Sequence, residues 1–184
     1  MTEGLCGRTP GIRLNEEGER QASAVGSALR KEVELAAVYT SPLERAVETA
    51  ERIARPQNLT VARRDGLNEL DFGSWRGLSF GELHERGDWH SYNRHRSLES
   101  APGGESLAQV QTRAWRCLQE IMAAHDGQTV AAVSHGDVIR ALLLLLLGMP
   151  LDFILRIEVG PASVTEIRFE DGEPRVGYLN RAVR

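Results

Sequence analysis

The sequence of 184 residues has few cysteines, no long apolar run and no excess of basic charge. Two cysteines, Cys6 and Cys117, exclude a disulfide scaffold and a CxxC metal or redox pair, so we expect a reducing, cytoplasmic location. The net charge of −4 argues against a protein that binds nucleic acid. The most apolar stretch, residues 141–147, is far shorter than the roughly 20 residues that span a membrane, and the first residues do not resemble a signal peptide.

The clearest positive pattern is a strand, a short turn and a helix, which occurs twice. The first unit has Ser41 as a predicted N-cap and Pro42 at the first helical position. The strand of the second unit is wholly apolar, which predicts burial on both of its faces. The predicted strands and helices of these two units cover residues 35–40 with 43–54, and residues 129–133 with 137–147.

Alternating strands and helices predict the fold class. We expect an α/β three-layer sandwich with a mostly parallel sheet, helices on both faces and an antiparallel hairpin at the sheet edge. Residues 1–184 are predicted to form a single domain, in which residues 74–104 leave the sheet and cover the site. The remaining predicted elements are helices at 16–30 and 105–124, a strand at 59–63, and the hairpin strands at 163–169 and 175–179.

Candidate functional side chains follow the predicted strands, where open α/β sheets bind ligands. His135 and Gly136 occupy the turn and helix N-terminus of the second unit, where free N–H groups favour an anion, and the histidine can be charged near neutral pH. Arg45 lies in the first helical turn of the other unit. Each residue also has an ordinary interpretation, because His135 could cap its helix and Arg45 could pair with a nearby glutamate. Together they predict a phosphate site, at roughly 1.5–3 kcal/mol per charge-assisted hydrogen bond.

A third candidate, Glu69, follows the strand at 59–63 in a segment with Phe72 and Trp75. A carboxyl group near aromatic side chains can have a raised pKa, which suits a general acid. The alternative is a solvated turn.

Six short segments of the sequence carry a family resemblance: residues 6–11, 14–18, 40–46, 68–77, 102–106 and 133–136. Together they resemble the histidine phosphatase superfamily, in its phosphoglycerate mutase-like branch. The resemblance implies that Arg45 clamps the phosphate, that Glu69 protonates the leaving oxygen and that His135 stabilises the phosphoryl group. It also implies that Cys6, Gly7 and Gly136 contact the substrate, and that neither a metal nor another cofactor is needed. The six segments occur along the chain in the order in which the family has them.

One family feature is absent from the sequence. The family's nucleophilic histidine lies in an Arg-His-Gly motif at the end of the first, central strand, and this sequence contains no such motif. We expect that the sequence starts late, so that this strand is missing; the alternatives are a rearranged sheet or another segment in its place. Without the nucleophile, the chain should turn substrate over poorly by a covalent route.

The predicted function is a phosphomonoesterase that uses a phosphohistidine route in the full-length protein. The expected partner is a small phosphorylated metabolite or inorganic phosphate, with no nucleic acid and no membrane, and the oligomeric state is open, a dimer included. Arg86, Arg94 and Arg96 could bind a second anionic group, unless their segment is a mobile loop. Two alternatives remain: a catalytically inactive relative that binds phospho-ligands or acts as a scaffold, and an unrelated nucleotide-binding α/β protein, for which no glycine-rich phosphate loop is present.

Overall fold

The structure is a computed structural model and describes residues 4–183. Its helices alternate with short strands along most of the chain. The α-helices are α1 (Glu16–Glu32), α2 (Glu44–Ala54), α3 (Phe80–His84), α4 (Gly87–Arg94), α5 (Leu107–Ala124) and α6 (Gly136–Leu146). The strands are β1 (Ala37–Thr40), β2 (Val61–Arg63), β3 (Val130–Val133), β4 (Val164–Glu170) and β5 (Glu173–Arg181). No helix among the described residues is long and apolar enough to cross a membrane.

A three-stranded parallel sheet lies at the centre, in the order β2-β1-β3. Its middle strand is covered on both faces. Val38 packs into a cluster with side chains of α1 and α2, whereas Tyr39 points to the opposite face and packs against Cys117 and Ile121 of α5. This arrangement of helix layers on a parallel sheet confirms the predicted α/β fold class.

Strand β3 differs from the prediction. Val130, Ala131 and Val133 are only half-buried and Ala132 is exposed, so the expectation of burial on both faces is wrong. The reason is position: β3 is an edge strand, and among residues 4–183 no strand pairs with its outer side. Alternation and apolar content describe a strand's own residues, but its neighbours decide how much of it is covered.

The hairpin is present but does not extend the parallel sheet. Strands β4 and β5 pair antiparallel and form a separate two-stranded sheet. Asp171 and Gly172 connect them, both with positive φ, as the tight turns of β-hairpins require. The predicted antiparallel pairing is therefore right, and its predicted place at the edge of the main sheet is not.

The first residues of α2 and α6 define where the turns after β1 and β3 end. Helix α2 begins at Glu44 with Leu43 as its N-cap, so Ser41 and Pro42 lie before the helix rather than at its cap and first position. In α6 the N-cap is His135, and its ring makes no capping hydrogen bond. The interpretation of His135 as an ordinary helix cap is therefore not the one that the structure supports, since its side chain is directed elsewhere.

Residues 74–104 are largely exposed, but a few buried aromatic side chains anchor the segment to the core. Trp75 and Tyr92 are almost fully buried, with ring centroids 5.0 Å apart in an edge-to-face contact. They belong to the same apolar cluster as Val110 of α5 and Val138 of α6. This packing fixes the segment, which contains α3 and α4, against the helices that carry the candidate site.

Candidate active site

The turns after β1 and β3 meet at one edge of the sheet, because parallel neighbouring strands end on the same side. The Ser41 N–H donates to the carbonyl oxygen of Val133 over 2.9 Å, which joins the two turns. Arg45, in the first turn of α2, has its Nη2 atom 3.3 Å from Nδ1 of His135. The structure thus brings together the guanidinium and imidazole groups that the sequence predicted to converge.

Glu69 faces the same place from the segment after β2. Its Oε2 atom is 3.9 Å from Nδ1 of His135, and its side chain is only 15% exposed. Its other carboxyl oxygen accepts a 2.9 Å hydrogen bond from the N–H of Leu70, which limits rotation of the side chain. The solvated turn is therefore excluded as a description of Glu69, and the three predicted residues share one enclosed site.

A half-buried network that sequence reasoning missed holds the backbone of Glu69 in place. The carbonyl oxygen of Glu69 accepts from Arg8 Nε at 2.7 Å and from Arg113 Nη2 at 3.0 Å. Both arginines also bind the carboxylate of Glu105, at distances from 2.8 to 3.0 Å. One available signal was the helical spacing of Arg113, which shares the apolar face of α5 with Val110.

The predicted substrate loop lies next to Arg45. The carbonyl oxygen of Gly7 accepts from Arg45 Nη2 at 2.9 Å, and Gly7 has a positive φ of 47°, which favours glycine. Cys6 is half-buried beside it. Gly136 opens α6, where the first backbone N–H groups have no acceptor within the helix. All three therefore flank the site, although their contact with substrate stays a prediction.

The enclosed position shifts both titratable groups. Burial, and then the positive charge of Arg45, lowers the pKa of His135 to about 3. Burial, and then the negative charge of Asp137, raises the pKa of Glu69 to about 7. This low pKa contradicts the expectation that His135 can be charged near neutral pH, because burial, and then the neighbouring cations, disfavours the charged ring. Glu69 holds its proton up to neutral pH, as a general acid must.

One donor in the site lacks a partner. Nη1 of Arg45 is buried and has no hydrogen-bond acceptor among residues 4–183. An unsatisfied buried donor costs about 1–3 kcal/mol, and more when it is charged. An anion bound beside Arg45 would satisfy this nitrogen, whereas a cation would be repelled. No group of three metal-ligating side chains occurs in the described part of the chain.

The other candidates lie outside this site. Arg86 pairs with Asp88 on the surface, and the buried guanidinium of Arg96 stacks 4.1 Å from the ring centre of Tyr92. Among the described residues, no histidine except His135 contacts Arg45 or Glu69. Three of the other histidines bond instead to the Phe80 carbonyl, the His84 carbonyl and the Tyr39 hydroxyl.

Comparisons with known proteins show which family this chain is similar to. A family model described as "Histidine phosphatase superfamily (branch 1)" matches residues 1–182. The chain is 38% identical over 170 residues to the bifunctional protein Rv2228c of Mycobacterium tuberculosis, covering 91% of this chain and 47% of that protein. The chain thus spans about half the length of this relative.

Two further matches carry descriptions of activity. Phosphoserine phosphatase 1 of Hydrogenobacter thermophilus is 35% identical over 169 residues, which covers 91% of this chain and 80% of that protein. A solved structure of a mycobacterial glucosyl-3-phosphoglycerate phosphatase, Rv2419c, in complex with inorganic phosphate, superposes with a TM-score of 0.86 at 26% identity. It covers 98% of this chain and 95% of that chain.

Proposed function

The chain belongs to the histidine phosphatase superfamily, and from that premise we propose that it is a phosphomonoesterase with its site at Arg45, His135 and Glu69. The substrate class is a small phosphorylated metabolite. The descriptions of the phosphatase relatives and of the phosphate complex support this class for the present chain. A cytoplasmic location is part of the proposal, because a sequence with only two cysteines suits a reducing compartment.

The observation that carries the proposal is the unsatisfied donor of Arg45 next to a protonated carboxyl group. A phosphoryl group at Nη1 of Arg45 would pair this nitrogen and gain a charge-assisted hydrogen bond. A carboxyl group with a pKa of about 7 is only partly ionised at neutral pH, so it repels a bound anion less than a fully ionised glutamate would. The site is thus electrostatically suited to an anion.

The proposed roles follow from these positions. Arg45 binds the phosphoryl oxygens, and the ring of His135 lies beside its guanidinium group. Glu69 gives its proton to the ester oxygen as the bond between phosphorus and that oxygen breaks, so that a neutral alcohol leaves. Cys6, Gly7 and Gly136 would contact the substrate from the flanking turns.

In the family that this chain resembles, the covalent route uses the histidine of an Arg-His-Gly motif, and this sequence contains no such motif. We propose that a strand bearing the family's Arg-His-Gly motif completes the full-length protein. The outer side of β3, which no described strand occupies, lies next to the turn of His135 and offers unpaired backbone groups to such a strand. The proposed phosphohistidine route depends on such a strand.

A second candidate function is an inactive relative that binds phospho-ligands. The observation that favours it is the same one: His135 is the only histidine next to Arg45 among residues 4–183. In that case Arg45 and Glu69 would hold an anion without transferring its phosphoryl group.

Binding and turnover, measured separately, decide between the two functions. Sulfate and orthovanadate titrations by calorimetry report the anion site, and release of p-nitrophenol from p-nitrophenyl phosphate reports turnover. In a form of the protein that includes the Arg-His-Gly strand, binding with turnover, and an acid-labile phosphohistidine on trapping, is the result expected of the phosphatase. Binding without turnover in that same form identifies a phospho-ligand binder. If neither anion binds, the proposed site is wrong.

A further inference from the structure

Ser41 is fully buried in the turn between β1 and α2, and its hydroxyl group contacts the ring of His135. The distance from Ser41 Oγ to His135 Nε2 is 2.7 Å. The same oxygen accepts a 3.3 Å hydrogen bond from the N–H of Leu43. Because a hydroxyl oxygen has two lone pairs, it can accept from the backbone and from the ring together. The residue that the sequence predicted to be a helix cap therefore lies against the imidazole.

The contacts on the two ring nitrogens determine where the proton of the neutral ring lies. Nη2 of Arg45 is 3.3 Å from Nδ1 of His135. A guanidinium group only donates, so Nδ1 must be the accepting nitrogen. The single proton of a neutral imidazole is then on Nε2, and the nearest acceptor is Ser41 Oγ.

We propose that Ser41 is a positioning residue, which holds His135 in the Nε2–H tautomer with the Nδ1 lone pair directed at Arg45 and Glu69. The functional consequence rests on the proposed anion site. A ring fixed in this way keeps the guanidinium of Arg45 in place, with one nitrogen bonded to the ring and to the Gly7 carbonyl and the other left for the ligand.

The burial of the ring and the charges around it agree with a neutral imidazole. Arg45 approaches from α2, Glu69 from the segment after β2, Arg113 from α5, and Arg8 from the loop before α1. The three cations disfavour a second proton on the ring, and the pKa of His135 lies well below its usual range.

The hydroxyl group of the adjacent Ser134 makes a different hydrogen bond. Ser134 precedes His135 directly, but its Oγ donates over 2.8 Å to the carbonyl oxygen of Leu67. Ser134 therefore provides a matched control: it is a serine in the same turn, hydrogen-bonded, and without contact to the ring.

The test is 15N NMR of the imidazole nitrogens in protein labelled at histidine, because a protonated and an unprotonated ring nitrogen resonate far apart. In the wild-type protein we expect the proton on Nε2 of His135. Ser41→Ala should move the two nitrogen shifts toward each other as the tautomers mix, Ser41→Thr should restore the wild-type pattern, and Ser134→Ala should leave it unchanged. We also expect Ser41→Ala to weaken sulfate binding about three- to tenfold, and Ser134→Ala to leave it unchanged.

The wild-type spectrum alone can overturn the inference, whether or not the variants fold. A proton on Nδ1 would mean that Ser41 donates to the ring, and the proposal would be wrong. An unchanged tautomer in folded Ser41→Ala would equally reject the positioning role. If wild-type protein shows the Nε2–H tautomer, lost in Ser41→Ala, but does not bind sulfate, the assignment of Ser41 stands and the proposed function fails.

Discussion

The turn after β1 and the turn after β3 occupy equivalent positions in the sheet but give the site opposite electrostatic properties. The first supplies Arg45, a permanent cation whose Nη2 is bonded to the Gly7 carbonyl. The second supplies His135, which burial and the neighbouring cation keep neutral, with a pKa of about 3. The comparison shows that residue type alone does not set the charge at a strand end, because burial, and then the charge of Arg45 in the neighbouring unit, keeps His135 neutral.

The largest expected effect is a loss of turnover on changing Glu69, which belongs to neither of the two turns. In a form of the protein that turns over phosphoserine, Glu69→Gln should lower kcat roughly 10²- to 10⁴-fold, since the amide cannot donate the proton that the leaving oxygen needs. The loss should be much smaller with p-nitrophenyl phosphate, whose leaving group needs little protonation. Steady-state kinetics with both substrates checks this, and equal losses would show that Glu69 is not the acid.

The next largest effect is a loss of anion affinity on removing the cation of the first unit. Arg45→Ala should weaken sulfate binding by about 1.5–3 kcal/mol, or roughly 10- to 150-fold, because it removes the charged donor. Calorimetric titration measures the change. The control is Arg55→Ala, an exposed arginine directly after α2, which should bind sulfate like the wild type. An unchanged affinity in Arg45→Ala would remove this residue from the site.

A pH-dependent stability difference tests the enclosure of Glu69. Folding raises the pKa of this carboxyl from its ordinary value of 4.5 to about 7, so between these values the folded state holds a proton that the unfolded chain has released. Stability of the wild type should therefore fall as pH rises through this window, by at most about 1.4 kcal/mol per pH unit.

The Glu69→Gln variant has no titrating group at this position. Its free energy of unfolding relative to that of the wild type should therefore rise from pH 4.5 to 7 and then level off. Urea unfolding at several pH values measures this difference. Glu51→Gln, at an exposed glutamate of α2, should show no such trend. A pH-independent difference for Glu69→Gln would indicate that the carboxyl is not enclosed.

The smallest effect concerns Asp137, in the first turn of α6. Its negative charge contributes to the raised pKa of Glu69, and its carboxylate is held by Arg96 at 3.4 Å and by Arg140 at 3.0 Å. Asp137→Asn should lower the pKa of Glu69, as followed by the 13C shift of its carboxyl carbon. A pKa that stays the same or rises would assign the whole shift to burial.

The sequence predicted the parts of the site that depend on topology. Arg45 and His135 could be placed together because each follows a strand of the same parallel sheet, and strand ends of such a sheet converge. Glu69 was accessible through a motif that resembles a known family. Each of these inferences uses only local pattern and chain order.

Other features depend on neighbours that are distant in sequence. Strand β3 is partly exposed because, among residues 4–183, no strand pairs with its outer side. The apolar residues of β3 itself do not indicate whether such a neighbour is present. Similarly, the low pKa of His135 depends on Arg45, 90 residues away in the chain. The contact of Ser41 with the ring was hidden because a serine before a helix is an equally good cap.

The most direct test of the site is an experimental structure of the protein with orthovanadate or sulfate bound. The anion should lie within about 2.7–3.2 Å of Nη1 of Arg45, next to the ring of His135 and the carboxyl group of Glu69. An anion that binds elsewhere, while this nitrogen remains unpaired, would contradict the account.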